Sequence, residues 1–322
     1  ETTSLDYAVN GVIQDFASTD PIESFTIGNG QLSFVASQQG YRVAGQAEFN
    51  GLAADVVLEG KIEEDAPPPS ILLSAALDAD DLKKMGFDAS EFLKGNIKFV
   101  ARPMPDSSIQ MAVDVTDATL TIKDLGISKA AGVPGSFKAA VLQKDDITEI
   151  SQVDIAFGDV KLQGSIGFDT KANELQSAEF TSFALNPDDS AQLSVTPIRG
   201  GYQVRVRGDQ LDLKPMLKRF FSLEEGSTGG PQAASLGDTT VALDIELKRA
   251  LGFYRTTAFN VDLDLALKGT DLQKASMSAQ FGNGRALSIT SNPAPGGRSM
   301  SVAFNDLGSV LRLVGVYPNI AG

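Results

Sequence analysis

Cysteine, histidine and tryptophan are all absent from this chain of 322 residues. Without cysteine there are no disulfides, thiolate nucleophiles or thiolate-held zinc and iron–sulfur centres. Without histidine the chain assembles no Ser-His-Asp triad, imidazole base or His-ligated metal. The missing tryptophan counts against a sugar-binding protein, whose sites favour large aromatic faces. Positive charge is scarce: 27 Lys and Arg stand against 41 Asp and Glu, a net charge of −14. Nucleic-acid binding rests on cations meeting phosphates, so the expectation is no nucleic-acid partner. No apolar run approaches the roughly 18 residues of a membrane-spanning helix, and no signal peptide is visible. Beginning at Glu1, the chain reads as a piece of a longer protein, with any anchor outside it.

These absences still allow an all-carboxylate Ca²⁺ or Mg²⁺ site or a carboxylate pair. The acidic clusters Asp188-Asp189, Asp145-Asp146 and Glu63-Glu64-Asp65 sit among turn signals and read as solvated hairpin tips. Asp262 and Asp264 share a strand face about 7 Å apart, with no third chemical group near them in sequence, and read as a wet sheet face. Gly132 to Ser136 lacks the Lys of a phosphate-binding loop. No catalytic motif emerges, and the expectation is a protein without enzymatic activity, cofactor or metal.

What is present is period-two alternation. Val261-Asp262-Leu263-Asp264-Leu265-Ala266-Leu267 is apolar at every odd position. Tyr202 to Arg207, Met111 to Val115, Leu243 to Leu247, Val153 to Phe157 and Val160 to Gln163 alternate in the same way. Strands send successive side chains to opposite faces, so each segment has one greasy and one wet face, as antiparallel sheets require. Gly28-Asn29-Gly30, Gln39-Gly40, Asn50-Gly51, Gly200-Gly201, Gly282-Asn283-Gly284 and Pro295-Gly296-Gly297 read as turns between such runs. Thr26 to Gly60 reads as a meander of three or four strands.

Three short helices are expected: Asp80 to Met85, Leu213 to Phe221, and Leu307 to Val314 capped by Asn305 or Asp306. Each follows a strand and an acidic residue, an imperfect repeat at a spacing of about 100 residues or more. Ala66 to Pro69 and Glu224 to Gly237 read as linkers. The expected organisation is an N-terminal meander over 1–66, a central segment over 70–225 and a C-terminal segment over 226–322. The fold class is mainly β: an extended, curved antiparallel sheet or groove of repeating strands with a few short helices.

The apolar strand faces are the candidate functional surface. Met111, Val113, Val153, Ile155, Val204, Val206, Leu243, Ile245, Leu263 and Leu265 are expected to form one inner surface. Two arrangements satisfy the pattern. In one, a closed sandwich buries these residues as core, giving a structural or assembly module. In the other, a curved sheet leaves them lining a groove for acyl chains.

Three stretches resemble a known family. Phe304 to Gly322 is similar to a D-x-G-x-x-L-R-x-x-G-x-Y-x-x-I-x-G signature, with Asp306, Gly308, Leu311, Arg312, Gly315, Tyr317, Ile320 and Gly322 falling on it. Thr116 to Gly135 resembles its T-D-A-x-L-x-I…L-G…K-x-x-G-x-P-G passage, and Gly201 to Leu217 its G-x-x-L-D-L-x-P-L-L passage. The family is the AsmA-like group of large Gram-negative envelope proteins, of the YhdP and TamB type. The resemblance covers roughly residues 77–322. It implies a periplasmic segment of a bridge anchored in the inner membrane and directed to the outer membrane. The bridge would carry phospholipid acyl chains in a hydrophobic β-groove, with any envelope protein partners unspecified. The family offers no catalytic residues to transfer.

Overall fold

The computed structural model describes residues 7–18, 26–122, 126–220, 239–269, 271–282, 284–294 and 297–317. Leu125, Phe221, the linker 224–237, Asn283, Pro295, Gly296, Ile320 and Gly322 lie outside the described residues. Among the described residues the fold is mainly β, 67% strand against 8% helix, with curved sheets and short helices attached. The strands are β1 (Ala8–Ser18), β2 (Ile27–Ser37), β3 (Gly40–Phe49), β4 (Leu52–Gly60), β5 (Ser70–Leu77), β6 (Leu93–Lys94), β7 (Ile97–Pro103), β8 (Ile109–Asp114), β9 (Thr119–Ile122), β10 (Ile127–Lys129) and β11 (Gly135–Lys144). They continue as β12 (Ile147–Phe157), β13 (Val160–Asp169), β14 (Glu174–Ala184), β15 (Ser190–Ile198), β16 (Gly201–Asp212), β17 (Thr240–Leu251), β18 (Thr257–Lys268), β19 (Asp271–Phe281), β20 (Ala286–Ala294) and β21 (Gly297–Phe304). The helices are α1 (Ala79–Lys84), α2 (Lys214–Phe220) and α3 (Leu307–Leu313).

The chain divides into two compact units, residues 1–121 with 129–144, and residues 122–128 with 145–322. In the first, β1, β2, β3, β4, β5, β7, β8 and β11 pair in that order, every pair antiparallel. In the second, β12 to β21 pair in chain order. One join departs from the expected antiparallel pattern: β16 and β17 run parallel. β17 begins at Thr240 opposite Gly201, the start of β16, as a parallel pair requires.

Local chemistry explains the punctuation. Asn50 and Gly51 both take positive φ, 48° and 78°, the conformation a tight hairpin turn needs between β3 and β4. Gly28-Asn29-Gly30, expected as a turn, instead lies inside β2. There Asn29 has φ 51° and the pairing with β3 shifts between Gly28 and Gln31. It is a bulge, and the same left-handed residue marks register shifts at Asp15, Gln152 and Asn260. Bulges bend and twist the strand that carries them, which gives the sheets their curvature.

Helices follow β5, β16 and β21, as the repeat reading expects. At α1, Asp78 accepts from the amides of Asp80 and Asp81, while Asp81 reaches back to the Asp78 amide, a complete capping box. At α2, the Asp212 carboxylate accepts from the Lys214 amide. At α3, Asp306 is the N-cap, and Gly315 at φ 85° ends the helix where a side chain would be strained.

Candidate apolar binding site

In the first unit, alternation turns one side chain in two toward a shared apolar face. Opposed residues in neighbouring strands share a face, so the pairings trace rows across the sheet. Ile13, Leu32, Gly45, Val56, Leu73, Ala101, Met111 and Ala139 form one such row. Ala75, Phe99, Val113 and Phe137 form another. On this face lies a cavity of about 490 Å³. Its floor comes from Leu52, Leu73, Phe99 and Met111, with Met85 of the α1 cap and Met104 of the β7–β8 turn contributing to its wall. The volume is in the range of small-molecule sites.

The lining holds no charged side chain. Its polar members are Asn50, Ser74, Ser107 and Ser108, and two of them make hydrogen bonds elsewhere. The Asn50 Oδ1 accepts from the Thr26 amide at 2.9 Å, and the Ser108 hydroxyl donates to Asp106 at 2.6 Å. The lining is thus predominantly apolar and suits hydrocarbon, since a charged ligand group would lose its water here without an opposite charge to meet it.

In the second unit the corresponding rows are longer. Val153, Gly164, Phe180, Leu193, Val206, Ile245, Leu263, Met277, Ile289 and Val302 succeed one another across the pairings of β12 to β21. Beside them run Val195, Val204, Leu243, Leu265 and Ala275. Ile155 opens a third row through Leu162 and Phe183 to Ala191. Val206 and Ile245 are 2% and 3% exposed, whereas Leu243, Leu263 and Leu265 are only half-buried. Burial on this face is uneven, since Phe183 and Ala191 of the third row are buried as well.

The opposite face of this sheet carries the charge. Arg207 donates to Asp244 at 2.7 Å and lies 3.1 Å from Glu246, and the Asp244 carboxylate holds the guanidinium pKa above its ordinary value. Asp264 pairs with Lys274, so the Asp262 and Asp264 pair lies on the polar face as expected. No cluster of three or more carboxylates suited to a metal occurs among the described residues.

No family model, curated protein or solved structure matches the chain. Of the ten residues expected to form one surface, eight share the apolar face of the second unit, and Met111 and Val113 share that of the first. Only Met111 of the ten lines the cavity. The sequence reading passed over Leu73, Phe99, Met85 and Met104. A signal for Phe99 was available in the alternation Ile97-Lys98-Phe99-Val100-Ala101, with Lys98 on the wet side. Met85 and Met104 lie at a helix end and in a turn, where periodicity carries no message.

Three of the described motif residues, Asp306, Arg312 and Lys129, hold the fold together. Asp306 is 4% exposed, accepts from the Ser309 amide and hydroxyl at 2.8 Å each, and lies 3.5 Å from Arg285. Arg312 donates to the Ser309 hydroxyl at 2.9 Å. Lys129, 2% exposed, donates its ammonium to the carbonyls of Val115 and Ala118 at 2.6 and 2.7 Å. Asp189, expected at a solvated tip, is instead 9% exposed. Its carboxylate accepts from the amides of Leu185, Asn186 and Asp212, so it staples the β14–β15 turn to the end of β16.

Proposed function

We propose that this chain is a segment of an AsmA-like periplasmic bridge that moves phospholipid between membranes by cradling its acyl chains on an apolar sheet face. The observation that carries the reading is the uncharged, predominantly apolar cavity on the apolar face of the first unit. The half-buried row through Leu243 and Leu265 extends the same chemistry in the second unit. The order of the three motifs resembling that family agrees with it.

The energetics explain why such a face is useful. Each methylene moved from water to an apolar surface gains about 0.8 kcal/mol. A diacyl lipid exposes on the order of 30 methylenes, so transfer through water unaided is prohibitive. An apolar face lowers that cost while leaving the head group in water. Catalytic chemistry is not needed, since no bond is made or broken. The acidic balance of the chain supports solubility of a long greasy structure.

Solvent extraction of the purified chain followed by mass spectrometry tests the proposal. Co-purifying phospholipid, lost when Leu73 and Phe99 are changed to Ser, is the expected result. A lipid-free chain that also takes up no fluorescent fatty acid would leave the structural-module reading in its place.

A further inference from the structure

Three of the six methionines in the chain line the apolar cavity of the first unit: Met85, Met104 and Met111. They come from three separate elements, the end of α1, the β7–β8 turn and strand β8. We infer that these methionines make the cavity tolerant of acyl-chain shape, so that it takes straight and cis-kinked chains with similar affinity. This inference rests on the acyl-chain reading above and adds the residues that set its selectivity.

Methionine is unbranched and polarizable, with more rotatable bonds than Leu or Ile, and fills irregular space by changing rotamer. Its surroundings here permit that. Met111 lies between Ala101 on β7 and Ala139 on β11, whose methyls leave its thioether room to swing. Met85 is 53% exposed at the helix cap and is free of packing on its outer side. Met104 sits in a turn held by its own backbone, its amide donating to the Ser108 carbonyl at 2.8 Å and its carbonyl accepting from Ser107 at 3.1 Å. The backbone is thus fixed while the side chain moves. The floor residues Leu52, Leu73 and Phe99 have stiffer or bulkier side chains on strands. A wall of Ile in place of the methionines would keep the apolar character and lose the adaptability.

The test is displacement of a fluorescent fatty acid from the whole 322-residue chain by stearic and by oleic acid, which have equal carbon counts. The natural chain is expected to bind the two within about threefold. The triple change Met85→Ile, Met104→Ile and Met111→Ile is expected to weaken oleate about tenfold, the size of one misfitted methylene in a rigid pocket, and stearate far less. A natural chain that already prefers stearate tenfold overturns the inference but leaves acyl-chain binding standing. So does a triple variant that binds both acids as the natural chain does. Failure of the natural chain to bind any fatty acid overturns the function proposed above and this inference with it. If the triple variant does not melt cooperatively, Met85→Ile alone, at the exposed helix cap, takes its place: selective weakening of oleate supports the inference, and unchanged binding of both acids overturns it.

Discussion

Leu265 and Ile245 lie on one face of the second unit, on neighbouring strands, yet a carboxylate at each should have different consequences. Leu265 is half-buried between Leu243 and Ala275. Complete burial of a Leu is worth about 1.5–3 kcal/mol, so its partial burial contributes about 1–1.5 kcal/mol. A carboxylate there keeps access to water, which holds the total cost of Leu265→Asp near 2 kcal/mol. For a unit of this size that corresponds to a fall of about 4–8 °C in melting temperature. Ile245 is 3% exposed, flanked by Val206 and Leu263. An unpaired charge at such a site costs about 3–5 kcal/mol in addition to the lost packing. Ile245→Asp should therefore lower the melting temperature by more than about 12 °C or prevent folding. Differential scanning calorimetry of both variants measures the contrast. Equal collapse of the two would show that Leu265 is sealed in a core, and the open face argued for the second unit would be refuted.

Other changes probe the polar staples. Lys129→Met keeps the apolar stem but removes the ammonium from the carbonyls of Val115 and Ala118, and should cost about 3 kcal/mol in chemical denaturation. Asp189→Ala leaves the amides of Leu185, Asn186 and Asp212 without their acceptor and should cost about 2–4 kcal/mol, with faster hydrogen exchange at those three amides. Asp88 is held well below the ordinary carboxylate range, first by its hydrogen bond from Lys83 and then by those from Ser90. A depressed folded-state pKa contributes stability above the unfolded pKa that is lost as pH falls through the folded one. Lys83→Ala should therefore move the Asp88 midpoint upward in an NMR titration, toward its ordinary value.

The strands were legible because alternation is written into each one. Val261 to Leu267 announces its two faces without reference to any neighbour, and the β18 pairing follows that pattern. The caps were legible for the same local reason: Asp306 before Leu307, with Gly315 after the helix, is a start and a stop. Bulges were not legible, because Gly28-Asn29-Gly30 carries the residues of a turn and only cross-strand register distinguishes the two. The burial of Asp189 depends on Asp212, 23 positions later, and no local pattern encodes that meeting. The cavity was hidden in part because Met85 and Met104 stand outside any strand, so no periodic signal placed them beside Leu73 and Phe99.

The parallel join between β16 and β17 has a bearing on how the second unit comes together in time. Every other neighbour pair in this unit is joined by a short connection, so each hairpin can zip onto the last with little entropy lost. The strands β12 to β16 can grow as one nucleus and β17 to β21 as another. Their union waits on the connection between β16 and β17, residues 213–239, the longest between neighbouring strands of this unit. Folding should then show two fast local phases and a slower docking step, its rate set by the length of that connection and not by the number of strands on either side.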